Sequence, residues 1–473
     1  MSQPEKKTLT LGKQKDQEAG IEFTLDALDV LLPCRQFSVK YRVAELGSVS
    51  LISEFVLRLI RTVDEIEERL IAAFFGFNDR ELAFALAELH AHEYVARFDG
   101  LVTLTGSGRA LFKENHRVPQ IFEVQERAIR QGFDLISLAP QDIQGLSPFE
   151  RRLEELTIRD VARVANASAE ARETFRKFFG EISARTDREV SKQLSLYSID
   201  DVVAERRFSA VVPVIVKGSS LRPGVPEVDL LAWRQPQEIE DRSEVVESVV
   251  AHVDAFKIAT RADNKQAYAV LTEIGAEFLR EYQIRDGLSV ERYFNEAVTR
   301  VGDIRSDRPT IPLVGSVFTP GNNEKLFTAL DYAMKQSGAG RDSPGLAWLV
   351  PDVKWGFTRV LPRTLARIAS VCGPEDQDAD DDGFLTVAIV RDKAPFHLQE
   401  TFKQCERLQD FTSAAPALEI LWIPNRVAAV LVHAPIKAMN ALPVPLGLLS
   451  FDPAVLSRVE AFLKQRASVA GLL

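Results

Sequence analysis

Six histidines and three cysteines limit the nucleophiles and metal ligands that this 473-residue chain can assemble. His397 and Glu400 stand one helical turn apart, a spacing at which a carboxylate can orient an imidazole for general acid–base work; a surface pair has the same spacing. His433 and Lys437 are four residues apart with Pro435 between them. Proline interrupts a strand ladder, so these two are not expected to share a face. His397, Glu400, His433 and Lys437 form the candidate catalytic set. His90 and His92, two apart near a helix end, point to different faces and are expected to pack or cap rather than bind metal. Asp378, Asp380 and Asp382 precede Gly383 at the spacing with which a calcium loop begins, but the bidentate acid that would close the coordination falls on Ile389. An acidic loop is the expectation there. Cys34, Cys372 and Cys405 lie far apart without C-x-x-C spacing, which gives neither a disulfide framework nor a zinc site. Free thiols in a reducing compartment follow. No metal and no cofactor is expected, and no G-x-x-x-x-G-K-[ST] loop indicates nucleotide hydrolysis.

Binding chemistry is the other possibility. Arg359, Arg363 and Arg367 follow i, i+4 steps and share one helical face, with Lys354 just before them. Together with Arg97 and Arg109 they are the candidate nucleic-acid contacts, because phosphate binding works by cationic side chains displacing counterions. The formal net charge of −10 excludes a generic nucleic-acid coat and leaves only local basic patches. DNA and a protein partner are the expected ligands; oligomeric state is left open.

A hydrophobic fraction of 46% with 27% charged residues is that of a globular chain, and the length accommodates roughly three domains. The start Met-Ser-Gln-Pro-Glu-Lys-Lys has no apolar core for secretion, and no run approaches the roughly 18 apolar residues of a membrane span. A cytoplasmic protein without membrane contact is expected. Residues 1–20 read as a flexible tail. Residues 21–146 read as a first domain, in which Gln36–Val43, Ile121–Ile129 and Phe133–Leu138 are strand-like runs around a central unit. A helical bridge is predicted over 147–205, with a strand hinted at Gln193–Ile199. Section 206–310 reads as a hairpin, Ala210–Val216 and Val228–Trp233, plus three helices. In 311–473, strands at Pro312–Phe318, Leu346–Val350, Phe384–Val390, Leu418–Ile423, Val427–Val432 and Leu446–Leu449 alternate with helices. The helices are Asn323 onward, Phe357–Val371, His397–Phe411 and Pro453–Leu463. That alternation implies a layered α/β sheet, and its near-continuous apolar strands imply cover on both faces.

The central unit is Leu51–Phe112. Leu51, Phe55 and Leu59 recur at helical spacing, as do Ile66, Leu70 and Phe74, and Gly76 ends that run. Asn78 with Glu81 forms a capping-box pattern before a third helix bearing Leu82, Leu86 and Leu89. Tyr94–Phe98, the turn Asp99-Gly100 and Leu101–Leu104 make a hairpin, and Thr105-Gly-Ser-Gly-Arg-Ala-Leu-Phe112 opens another helix. This order resembles the MarR-type winged helix, whose wing signature is matched by Glu93-Tyr94-Val95, Asp99-Gly100 and Leu104-Thr105-Gly106-Ser107-Gly108-Arg109. The resemblance implies a bacterial protein and DNA contact through the third helix and the wing. The residues themselves read otherwise: Asp79, Glu81 and Glu88 outnumber Arg80 on that helix, which favours a scaffold or protein-binding role.

The C-terminal order resembles one half of a phospholipase D superfamily domain. Gly315-Ser-Val-Phe318-Thr-Pro320 stands at the end of its first strand, and Ala329-Leu330-Asp331-Tyr332-Ala333 in the helix that follows. The Pro424–Val432 hairpin and Gly447-Leu-Leu-Ser450-Phe-Asp452-Pro453 stand at its catalytic strand and after it. The family's chemistry requires a histidine nucleophile and a lysine in H-x-K. The corresponding stretch here is Asn425-Arg-Val-Ala-Ala429, and no second half is visible. A pseudoenzyme is implied. Gly224-Val-Pro-Glu227-Val-Asp229 resembles the first acidic strand of restriction-like nucleases, but Val245–Val250 lacks the following acid-x-Lys. The expected fold is therefore α/β and α+β multidomain: an N-terminal winged helix with flanking strands, a helical middle and a C-terminal α/β layered sheet. The expected function is a non-catalytic nucleic-acid- or protein-binding component of a bacterial multicomponent system, defence against foreign DNA being the association these modules suggest. The alternatives are a phosphodiesterase or nuclease with an atypical site and a purely structural adaptor.

Overall fold

Apolar–polar alternation continues far on either side of Gln36–Val43. In a computed structural model of the chain, that octet lies inside one 25-residue strand, β1 (Glu22–Leu46). The structure describes residues 20–46, 50–112, 119, 122–160, 162, 166–186, 194–233, 242–259, 263–285, 287–300, 302–337, 345–373, 383–409, 414–437 and 439–467. The expected tail, apart from Gly20, and the aspartate-rich loop, apart from Gly383, lie outside them.

From the distal end of β1 the chain enters the 50–112 module: α1 (Leu51–Val63), β2 (Glu65–Glu67), α2 (Glu68–Phe75), α3 (Asp79–Ala91), β3 (Val95–Phe98), β4 (Leu101–Leu104) and the short α4 (Gly106–Ala110). Its three strands pair antiparallel in the order β2-β4-β3. The module has a core of its own, built from Val56, Leu57, Ile60, Ile71, Leu86, Leu89, Val95 and Val102 among others. The helix stripes differ from expectation. α1 buries Ser53, Val56, Leu57 and Ile60, not Leu51 and Phe55. Ile66 belongs to β2, and α2 buries Ile71 while Leu70 and Phe74 face solvent. A short apolar-rich helix offers several i, i+4 stripes, and the packing partner selects one. Gly76 ends α2 at φ +74°, and the Asn78–Glu81 capping box opens α3 with both reciprocal bonds formed.

The chain returns through β5 (Phe122–Asp134) and β6 (Pro140–Gln141), then α5 (Ala167–Thr186), β7 (Leu194–Ser219) and β8 (Arg222–Asp229). One antiparallel sheet results, in the order β6-β5-β1-β7-β8. β5 replaces the two runs expected at Ile121–Ile129 and Phe133–Leu138. Asp134 is the reason for its end: its buried carboxylate accepts the N–H groups of Ile136, Ser137 and Ala139 and turns the chain. The helical bridge is also corrected, because 194–205 is the first part of β7. Likewise 222–226 is strand, so the 210–233 hairpin turns at Ser220-Leu221. Pro33 sits where β5 pairing stops, since the register runs from Cys34↔Asp134 onward. A proline N, which cannot donate, is tolerated there. α5 covers the distal half of β1 and β7, with Phe175 and Phe179 against Tyr41.

The remaining elements are α6 (Ser243–Asp254), α7 (Asp263–Ile274), a short ribbon of β9 (Gln283–Ile284) and β10 (Gly287–Leu288), α8 (Val290–Thr299), β11 (Thr310–Val314), α9 (Pro320–Ser337), β12 (Gly345–Leu349), α10 (Val360–Cys372), β13 (Leu385–Val390), α11 (Phe396–Gln399), β14 (Gln404–Arg407), β15 (Leu418–Ile423), β16 (Val427–Ala434), β17 (Val444–Ser450) and α12 (Pro453–Lys464). A seven-stranded sheet has the order β11-β17-β16-β15-β12-β13-β14. Only the β12–β13 and β13–β14 pairs are parallel, so the sheet is mixed. Every residue of β15, β16 and β17 is buried. Ile420, Trp422, Val430 and Leu448 face α6, α7 and α12, whereas Leu421, Leu431 and Leu449 face α9 and α10. The helix expected over His397–Phe411 stops at Gln399. Residues 404–407 complete the sheet edge beside β13, a tertiary pairing that overrides local propensity.

Candidate ligand cavities and the basic side chains

The proximal half of β1 has no β5 beside it. Segment 154–156 and loops of the C-terminal domain take the vacant edge instead: the N–H of Leu31 donates to Glu154 O, that of Asp29 to Phe357 O, and that of Ser316 to Leu25 O. Gly315, at φ +86°, lets the chain pass against Thr24, where a Cβ would collide with its carbonyl oxygen. Asp29, 4% exposed, accepts from Arg359 N at 2.6 Å, Thr358 Oγ1 at 3.1 Å and Arg359 Nε at 3.2 Å. It therefore ties β1 to the start of α10. This stitching places Asp26 over the end of the seven-stranded sheet.

Two cavities open there. The larger, about 360 Å³, lies outside the carboxyl ends of the parallel strands β12 and β13. Loops 350–359 and 391–395 wall it, with Asp352, Lys354, Arg391, Asp392, Lys393 and His397 as its polar side chains. Such crevices are where ligands enter open α/β sheets. His397 is 3% exposed; its Nε2 is 3.1 Å from Trp355 O and its ring centroid 4.0 Å from that of Phe357. Burial lowers its pKa below the ordinary imidazole value. Lys354 pairs with Glu154, and Glu154 also lies 3.6 Å from His252 Nε2. Burial lowers the His252 pKa as well, outweighing the Glu154 charge.

The smaller cavity, about 120 Å³, shares Val353 and Lys354 with the first. Leu25, Leu28, Val216, Phe256, Leu442 and Pro445 form much of its wall, and Asp26 and His433 face it with Lys354. His433 Nε2 is 2.5 Å from Glu419 Oε2, and Trp348 Nε1 donates to Glu419 Oε1 at 2.9 Å. Register explains this triad. Glu419 pairs with Leu431 and Trp348 with Leu421, so Trp348, Glu419 and His433 are diagonal neighbours on one face of three adjacent strands. Glu419 is 1% exposed and His433 5%. Desolvation pushes the half-buried Asp26 carboxyl up to about 6, opposed by the bond from Ala27 N, the charge of His433 and a bond from Ser316.

The sequence-derived catalytic set is thus divided. His397 and His433 line adjoining cavities. Glu400 pairs with Arg152 at 3.1 Å, and Lys437 reaches Glu291 and Ser220 O, each at 3.4 Å. Neither lines a cavity described here. Asp26, Glu419 and Ser316 were missed; the available signal was a lone glutamate inside the otherwise apolar Leu418–Ile423.

Most of the six basic candidates are engaged. Arg97 holds Glu68 through two bonds, at 2.8 and 2.9 Å, and Arg109 Nη2 is 3.7 Å from Asp64. Lys354 is paired as above. Arg359 holds Asp29 and lies 3.8 Å from Glu150, and the Arg367 guanidinium sits 3.7 Å over the Phe327 ring. Arg363 is exposed on α10. On α3, Glu81 is used by the cap. Glu88 turns to α1, accepting from Ser50 Oγ at 2.7 Å and Ser53 Oγ at 2.5 Å. Among the described residues no group of three or more His, Cys, Asp or Glu side chains is placed to hold a metal ion, and no helix is long and apolar enough to cross a membrane. The chain matches no protein-family model and no curated protein.

Proposed function

We propose that this protein is a recognition component whose 50–112 module docks on a partner protein. The order α1-β2-α2-α3-β3-β4-α4, with a β2-β4-β3 sheet and a tight Asp99-Gly100 turn, supports the winged-helix reading of that module. The observation that carries the choice of partner is what the module shows to solvent. Leu51, Phe74 and Phe84 are each 69% exposed and Phe98 is 83% exposed. Its six arginines, with no lysine, stand against ten carboxylates. Arg97, on the hairpin strand, is already neutralised by Glu68. A DNA phosphate would have to displace that carboxylate within an acidic field, whereas a protein surface gains roughly 25 cal/mol for each Å² of apolar area it covers.

Photocrosslinking in cells of the source organism tests this. With benzoylphenylalanine in place of Phe74 or Phe98, a discrete adduct is expected. The same group at Ile284, an exposed apolar position outside the module, should give none. No adduct at either module position overturns the reading. So does a tight, salt-sensitive DNA complex that Arg97→Ala weakens, which would restore nucleic acid as the ligand.

A further inference from the structure

We propose that the cavity between β1, α6 and the ends of β16 and β17 binds a small organic cation, an alkylammonium or guanidinium held by Asp26. None of its lining comes from the 50–112 module, so this goes beyond the partner-binding reading and does not depend on it.

The charges around the cavity decide the sign of the ligand. Lys354, at the rim, is neutralised by Glu154. His433 faces the cavity but is committed through Nε2 to Glu419, whose second oxygen is taken by the Trp348 indole. Asp26 remains: its interactions are the Ala27 N–H, the Ser316 side chain and the fields of His433 and Glu419. Asp26 is the one acidic side chain in the cavity lining, and it brings a negative charge to a mostly apolar wall. An ammonium donating to Asp26 would neutralise that charge and relieve the desolvation of that carboxylate.

The walls and volume limit the rest of the molecule. Leu25, Leu28, Val216, Phe256, Leu442 and Pro445 offer an apolar body nothing to hydrogen-bond with. A volume of about 120 Å³ is slightly below the roughly 150 Å³ of an apolar protein cavity that accepts benzene. The ligand is therefore a chain or ring of about five non-hydrogen atoms ending in a cation.

Saturation-transfer NMR on the full chain at pH 7.5 tests the proposal with three probes of one shape: n-butylammonium, n-butyrate and n-butanol. Transfer to n-butylammonium is expected to exceed that to either control by at least about threefold, the margin that a pairing energy near 0.7 kcal/mol gives. Asp26→Asn should abolish the difference. Ala255→Phe, at an exposed position on the cavity lining, should block all three probes without changing the unfolding temperature. Equal transfer to the three probes, preference for butyrate, no transfer to n-butylammonium, or an undiminished signal in folded Asp26→Asn each overturns the proposal.

Discussion

At the scale of single residues, the consequential side chains are carboxylates set in apolar surroundings. Asp26 is destabilising where it is ionised. Its folded pKa, about 6, exceeds the ordinary 3.8, so the folded state binds the proton more tightly than the unfolded chain does. Stability from this group is complete below about pH 4 and is lost as pH rises through about 6. Asp26→Asn is therefore expected to stabilise the protein by roughly 1–2 kcal/mol at pH 7.5, with little effect at pH 4. Urea denaturation at the two pH values measures the difference, and an equal effect at both would reject the titration as its cause. None of this was legible along the chain. Asp26 sits in the ordinary alternation Thr24-Leu-Asp-Ala-Leu28, and the loop at Gly315, together with side chains from β7, α6, β16 and β17, takes water away from it. His433 was identifiable as a candidate, but its partner Glu419 lies fourteen residues away and becomes a neighbour through strand register.

Elements divide into those fixed by local chemistry and those chosen by neighbours. The start of α3 is of the first kind. Asn78 Oδ1 accepts from Arg80 N and Glu81 N, both at 3.0 Å, and Glu81 Oε2 returns the contact to Asn78 N at 3.0 Å. These are partners a few residues apart, so the pattern could be read directly from sequence. Asn78→Ala should cost about 1 kcal/mol. Because the module has its own core, the loss should appear in hydrogen exchange of α2 and α3 and leave the seven-stranded sheet unaffected. Uniform loss of protection across the chain would contradict that division. Residues 396–409 are of the second kind. Their local pattern suggests one helix, and the open edge of β13 decides for β14 instead. The same holds for α1, where several apolar stripes competed and the one buried includes Ser53, held by Glu88 of α3.

At the scale of the whole molecule, one strand joins the parts. β1 spans roughly 80 Å if fully extended, pairing with β5 distally and anchoring to the C-terminal domain proximally. Asp29 is a buried side-chain link in that anchor, accepting three hydrogen bonds. Asp29→Ala leaves Thr358 and the amide of Arg359 without an acceptor and should destabilise by roughly 2–3 kcal/mol. Limited proteolysis should then cut first in loop 350–359; unchanged protection of that loop would remove Asp29 from this role. By itself the sequence determined whatever depends on near neighbours or on burial of both faces: the capped helix, the Asp99-Gly100 turn, the apolar strands β12, β13 and β15–β17, and the mixed α/β class. Tertiary structure alone decided the length of β1, the direction of each sheet neighbour, which arginines are neutralised, and the meeting of Asp26 with His433. Those outcomes depend on pairing between residues from tens to hundreds of positions apart, and the energies that select such pairings are not written in any one segment.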